Sequence, residues 1–410
     1  MKLFTGAALS VLFLVALCGA PSATSSSSQD FSQFIPLCRG DLTPGIALGD
    51  VNGDGRLDIV FGNGRHIAQP NLLYINGNRT DLFFPPRPLG NSATYAVVLV
   101  DIDRDRDLDL VEGTDFGFWK VIWLNDGRGN FSNEYFFGVE DRTREMAVGD
   151  LTGDGFPDIV SANFVVAPGD VSKIYVNDGK GQFPEARPLP VGKADAAGVG
   201  LGDFNSDGRL DIVLGAMAGH PKFLLLNEGA GQFPRAIPFG PTTDNSEGIA
   251  VGDLDGDGHL DVVAGNTGQP DMVFFGDGKG GFPRSISFGP PTARTRAVAL
   301  GDIDGNGTLD VVVGYDALDV TSVGEQGPAA AREQRQVLNL YRVRNDTNRV
   351  FLNDGRGRLR EGPTFGVPGV TTRAVALGDL DGDGRLDIVV GNNCANNAIY
   401  LNRSLSLPRR

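Results

Sequence analysis

Leu377–Asn392 reads LGDLDGDGRLDIVVGN: a short apolar run, a loop of evenly spaced acids, then a second apolar run. The acids are Asp379, Asp381, Asp383 and Asp387, with Gly382 and Gly384 between them. Alternate residues of a tight loop can aim their side-chain oxygens at one centre, and the fourth acid closes the cage from the far side. Such a set suits a hard cation that takes roughly six to eight oxygens in flexible geometry, which favours Ca2+ over Mg2+. Glycine at the sixth position supplies the positive φ of the bend.

Six further copies precede it. Their first, third, fifth and ninth positions are Asp50, Asn52, Asp54 and Asp58; Asp101, Asp103, Asp105 and Asp109; Asp150, Thr152, Asp154 and Asp158. Then come Asp203, Asn205, Asp207 and Asp211; Asp253, Asp255, Asp257 and Asp261; Asp302, Asp304, Asn306 and Asp310. Successive loops start 51, 49, 53, 50, 49 and 77 residues apart. A fixed period of that size marks a repeat architecture with one supersecondary unit per repeat. The long last interval places an insertion, about residues 316–348, in the sixth unit. Up to seven Ca2+ ions are expected. The alternative, acidic turns without metal, leaves four carboxylates crowded and self-repulsive.

Each loop is preceded by a small apolar segment such as GIALGD or AVALGD and followed by a nearly continuous apolar one such as LDIVFGN or LDVVVGY. Strands without polar alternation are buried on both faces. A third strand follows, as in VIWLND or KIYVND. Most of these run into turns such as NDGRGNF, whose glycine steps suit a hairpin, with a fourth strand starting at the Phe. Four antiparallel strands per repeat, set radially, make a propeller blade. The predicted fold is all-β: a seven-bladed β-propeller of four-stranded antiparallel blades over residues 31–402. The last repeat stops after its third strand, and Phe34-Ile-Pro-Leu37 resembles a fourth-strand opening, Phe183-Pro-Glu-Ala. Phe31–Leu37 is therefore predicted to complete the last blade and close the ring, covering an open edge. Residues 403–410 are left as a tail.

The 410 residues carry a formal charge of −15, and 24 of the 51 acidic residues are aspartates of these loops. Seven divalent ions bring the chain close to neutral, so the acidity reads as metal-site charge and not as a surface for cationic partners. No basic stripe appears, which argues against nucleic acid as a partner. Lys2 and the apolar run Ala7–Leu17, followed by Cys18-Gly19-Ala20, read as a secretory signal over residues 1–20. That run is too short to favour a membrane span. Residues 21–30, with Ser25–Ser28, read as a flexible lead-in. The expectation is a soluble exported monomer, extracellular or else periplasmic or associated with the cell surface. Cleavage after Ala20 leaves Cys38 and Cys394, which either bridge in an oxidising compartment or stay as two thiols.

These loops and strands resemble the FG-GAP (VCBS) repeat family, which includes the propeller heads of integrin α-subunits and certain secreted propeller lectins. The resemblance spans about Phe31 to Asn402. It implies Ca2+ held by positions 1, 3, 5 and 9 on the lower face of the ring, helped by the carbonyl of position 7. It also implies that partners meet the upper face, made of second-to-third-strand and blade-to-blade loops. Three loops depart from the pattern. Arg106 replaces the bend glycine of the second, where Arg104 adds a nearby charge; Thr152 replaces an acid in the third; Asn306 in the sixth keeps an oxygen without the charge.

On that upper face, Tyr95, Phe116, Phe118, Trp119 and Phe164 suit stacking on sugar rings, or equally packing between blades. His66 and His220 fall in second-to-third-strand loops, as solvated residues or as a base for β-elimination in a polysaccharide. Arg39-Gly40-Asp41 spells an adhesion tripeptide, or simply turns the chain into the first blade. In the insertion, Pro328–Gln336 is predicted as a short helix and Val337–Val343 as an extra strand, and a partner site is expected near it. Sequons at Asn78, Asn130, Asn345 and Asn402 matter only in a host that glycosylates. Motifs for nucleophilic, zinc or phosphate chemistry are absent from the sequence. The leading expectation is a calcium-binding module that holds a glycan or an extracellular protein without catalysis. The alternatives are a polysaccharide lyase or hydrolase and a scaffold module of an envelope or matrix assembly.

Overall fold

The computed structural model describes residues 29–404, with the exception of 38–40, 79–80, 84, 116–117, 166–169, 218, 321–340 and 344–346. The expected signal, Cys38, Arg39-Gly40, Phe116, the helix over Pro328–Gln336 and most of the tail lie outside the described residues. The described residues form strands and turns and no helix, so none is long and apolar enough to cross a membrane.

Seven four-stranded antiparallel sheets form a ring, as predicted. Blade 1 comprises Gly45–Gly49, Asp58–Gly62, Gln69–Tyr74 and Arg87–Ser92, and blade 2 Thr94–Val100, Asp109–Thr114, Lys120–Asn125 and Phe131–Phe137. Blades 3 to 5 repeat the order, opening at Thr143–Gly149, Ala196–Gly202 and Ser246–Gly252. Blade 6 runs Thr295–Gly301, Asp310–Tyr315, Asn348–Asn353 and Leu359–Phe365. The second strands are wholly buried, as in Asp211–Ala216 and Asp310–Tyr315, which is why their sequences show no alternation. First strands of neighbouring blades pack on one another around a central channel.

Blade 7 is built from both ends of the chain. Thr371–Gly378, Asp387–Asn393 and Ala398–Tyr400 are joined by Phe34–Pro36, which pairs antiparallel with the register Phe34↔Tyr400, Ile35↔Ile399 and Pro36↔Ala398. Phe31 is buried between blades 6 and 7, its ring centroid 6.2 Å from that of Phe365. A second pairing, Gln29–Asp30 with Arg403–Ser404, extends the closure.

One detail differs from expectation. In blade 3 the fourth strand starts at Glu185, after Phe183; in blade 4 it starts at Ile237, after Phe233. Both rings are buried, so each Phe plugs the core instead of pairing. In the insertion, Leu318–Val320 pairs antiparallel with Tyr341–Val343, the described part of the expected extra strand, whose first four positions lie outside the described residues.

Blades are held together by a recurring clasp. The Asn at the end of a third strand donates its side-chain amide to the second-position carbonyl of the preceding blade's acidic loop. Examples are Asn125 to Val51 at 2.8 Å, Asn177 to Ile102 at 2.9 Å and Asn353 to Leu254 at 2.7 Å. Asn402 belongs to the same set, giving its amide to Ile303 at 2.9 Å, and is buried, which closes that sequon to a glycan. Beside the clasp, the glycine before an acidic loop faces the leucine of the next blade's loop. A Cβ on Gly202 would stand 2.4 Å from Leu260, and one on Gly252 2.6 Å from Leu309. Between blades 2 and 3 both partners change, to Val100 and Pro157.

Candidate functional site

The antiparallel order sends all seven acidic loops to the lower face and every second-to-third-strand loop to the upper one. In each acidic loop the ninth-position aspartate is wholly buried. Both its oxygens accept backbone N–H groups: Asp387 takes Leu380 at 3.0 Å and Asn402 at 2.8 Å, and Asp109 takes Ile102 at 3.1 Å and Asn125 at 2.9 Å. Burial pushes these carboxyls up, to about 7 at Asp109, Asp310 and Asp387, against the lowering effect of the N–H bonds. The first-position aspartate curls the loop, Asp379 accepting from Gly382, Asp383 and Gly384.

In four loops the oxygens of positions 1, 3 and 9 converge to within 4.8 Å of one another: Asp101, Asp103 and Asp109; Asp253, Asp255 and Asp261; Asp302, Asp304 and Asp310; Asp379, Asp381 and Asp387. Oδ1 of Asp101 and Oδ1 of Asp255 are buried there with no hydrogen-bond donor. Buried carboxylate oxygens that face other carboxylates and lack donors fit a hard divalent cation. The remaining three loops have neutral oxygens at position 3, in Asn52, Thr152 and Asn205. Fifth-position acids stand apart from the convergent sets. Asp54 pairs with Arg56 at 2.5 Å, Asp207 with Arg209 at 2.5 Å, and Asp383 with Arg385. The second loop, with its two arginines, still assembles its acids. Arg104 leaves it and lies over the Phe156 ring, 4.6 Å from the centroid.

The upper face gathers three of the predicted residues. His66 and Tyr95 have ring centroids 5.9 Å apart. The Arg144 guanidinium lies 4.4 Å from the Tyr95 centroid and 5.0 Å from that of Phe164. Buried Asp115 ties the group together, 2.9 Å from His66 Nδ1 and 2.8 Å from Arg144 Nη1. Burial pulls the His66 pKa down, against the hydrogen bond to Asp115. Burial alone raises Tyr95, but the charges of Arg65, Arg144 and Arg373 outweigh it and bring the phenol to about 7. Trp119, on the loop that carries Asp115, is exposed, as is Phe118. His220 is not brought to this group; it sits in the loop of blade 4, its N–H on the Met217 carbonyl at 3.3 Å. Cys394 is exposed, and its N–H donates to Asp41 at 3.1 Å.

Sequence reasoning missed the arginines at the top of the channel: Arg65, Arg144, Arg296 and Arg373. A signal existed, since Thr-Arg precedes the first strand's apolar run at residues 143–144, 295–296 and 372–373.

The FG-GAP-like repeat family model matches residues 50–112, 162–214, 203–264, 253–313 and 337–390. No curated protein matches by sequence. Among solved structures, an Agrocybe aegerita lectin that recognises non-reducing terminal N-acetylglucosamine is similar at 19% identity and TM-score 0.52, over 88% of this chain and 87% of that one. BBS1N, solved in complex with ARL6DN, is similar at 12% identity and TM-score 0.59, over 93% of this chain and 100% of that one. The BP39L lectin of Burkholderia pseudomallei is similar at 13% identity and TM-score 0.57, over 88% and 99%. At these identities the likeness is one of fold.

Proposed function

Since the chain belongs to the FG-GAP-like repeat family, we propose that it is an exported propeller, held rigid by Ca2+ in its lower-face loops, whose upper face binds a ligand without chemical change. A glycan is the ligand favoured, ahead of a protein. One observation carries this. Among the described residues, the large apolar side chains exposed in loops are Ile67, Phe118, Trp119, Val139 and Val367, and all five lie on the upper face. The first four crowd the sector of blades 1 to 3, and such clustering marks an interaction site. Trp119 offers a flat ring to a sugar, with polar groups close by to take hydroxyls. Two of the structural relatives are lectins, which accords with the reading.

A glycan array probed with calcium-loaded protein tests it. Binding to a defined sugar class, lost in Trp119→Ala, is expected; a blank array from folded protein overturns the glycan reading and leaves a protein ligand.

A second reading rests on the His66–Asp115 pair beside Tyr95, whose spacing and shifted pKa values suit proton transfer. It predicts slow depolymerisation of a uronate polysaccharide, abolished by His66→Ala.

A further inference from the structure

In six blades the pairing of first and second strands slips by one residue near the upper face, and the residue left out of register is Tyr95, Arg144, Ala197, Glu247, Arg296 or Arg373. Bulges of this kind re-aim a side chain. Here they fall at equivalent points around one axis, near the mouth of the central channel, and two of them, Arg296 and Arg373, line the channel itself.

Positive charge prevails there. Two buried carboxylates are shared among five arginines. Asp115 meets Arg144 at 2.8 Å and Arg142 at 3.9 Å, and Asp316 meets Arg296 at 2.8 Å and Arg294 and Arg373 at 3.8 Å each. Arg65 adds its charge, donating from Nε to the Tyr95 hydroxyl at 3.2 Å. Arg296 is also paired with Glu247.

Arg294 and Arg373 each have a long ion pair and an Nε without a hydrogen-bond partner, and of the two Arg373 is the more buried, its side chain 9% exposed against 16%. It lines, with Arg296 and Glu145, a channel cavity of about 290 Å3. Burial, with the charges of Arg296 and Arg65, draws its pKa down to about 9. A buried guanidinium nitrogen left without an acceptor is costly, and a carboxylate or sulfate, with two oxygens to offer, answers it with paired hydrogen bonds.

We infer that the channel mouth is an anion-binding site that takes the carboxylate or sulfate of an acidic saccharide, with Arg373 as its main contact. The saccharide part of this inference rests on the glycan reading above; the anion part does not. The cavity sits at the lower end of small-ligand pockets, which favours a sugar residue over a polypeptide. Ile67, Phe118 and Trp119, beyond Asp115, offer apolar faces to the sugars that follow the acidic one.

The test is titration calorimetry on the calcium-loaded full chain with three probes: a galacturonate oligosaccharide, a neutral oligosaccharide of equal length, and inorganic sulfate. The acidic oligosaccharide is expected to bind at least tenfold tighter than the neutral one, with the difference lost in Arg373→Met and shrinking as salt rises. If Arg373→Met fails to fold, Arg65→Gln serves, with the same loss expected. Sulfate binding alone, lost in the variant, supports the anion site, makes a free anion its ligand and removes the glycan reading. Equal affinity for acidic and neutral sugars, or affinity unchanged in both variants, overturns the anion site while leaving glycan binding intact. Failure of both acidic probes overturns it as well.

Discussion

Asn76, in the first blade, donates its side-chain amide to the carbonyl of Leu380, in the seventh, at 2.8 Å. The contact that links neighbouring blades elsewhere thus also spans the junction between the two ends of the chain. It ties a lower-face loop of one blade to the body of the next, so loop geometry and ring packing are set together.

Removing one clasp should therefore destabilise the whole ring. Asn125→Ala leaves the Val51 and Leu108 carbonyls short of a donor and is expected to cost about 1–3 kcal/mol in urea denaturation. Blade 5 has Gly276 in the clasp position, and a Cβ there would stand 2.2 Å from the Leu260 carbonyl oxygen. Gly276→Asn should thus destabilise although it restores the repeat's pattern. A gain in midpoint would show that the backbone can yield.

Chelation supplies a second prediction. Ions that bind only the folded chain stabilise it by mass action, about 2.7 kcal/mol per site at a hundredfold excess over Kd. The melting temperature should fall in chelator. After dialysis against limiting calcium, the loops of blades 2, 5, 6 and 7 should keep metal longest, and Asp255→Asn should lower the bound count by one. Elemental analysis reads this, and a calcium-free protein with an unchanged melt would sink the metal assignment.

Glu112 gives a pH dependence. It is wholly buried and accepts from Asn71 at 2.6 Å, Trp123 at 2.7 Å and Ser92 at 2.9 Å. Burial raises its pKa to about 7, only partly offset by those donors. A carboxyl more basic folded than unfolded favours folding below its unfolded pKa, and that contribution is lost as pH rises through about 7. Glu112→Gln, which keeps the acceptor for Asn71 and Trp123, should flatten the fall in stability between pH 5 and 8 at saturating calcium. Parallel profiles for the two proteins would refute this.

Lys222 is 1% exposed and 2.8 Å from Asp244. Asp244→Ala strands a buried ammonium and is expected to cost about 3–5 kcal/mol. The double change Lys222→Met with Asp244→Leu should cost less than the single one. A double-mutant cycle by chemical denaturation measures both.

Much of this was legible because the acidic loop encodes two things at once. Its acids define the site, and its spacing defines the blade, so ring size follows from counting. Closure was legible in Phe34-Ile-Pro, a fourth strand displaced to the front of the chain. His66, Tyr95 and Phe164 could be named as candidates from their loops, but not their convergence on Arg144 and Asp115. That convergence depends on a one-residue slip in strand pairing, which no apolar periodicity records. The Asn clasp was equally hidden: VIWLND shows an Asn at a strand end but not the carbonyl it meets in the blade before.

The strand Phe34–Pro36 carries one last implication. It precedes every other strand of the seven blades, and its partner Ala398–Tyr400 follows nearly all of them. During translation the first blade must therefore wait beside a strand that has nowhere to dock, and the ring can shut only once the last blade has been made. Such a large separation along the chain makes closure slow. Until then the half-made ring exposes the open edge of its latest blade, so the interval before closure is when it is most exposed to mispairing with its own kind.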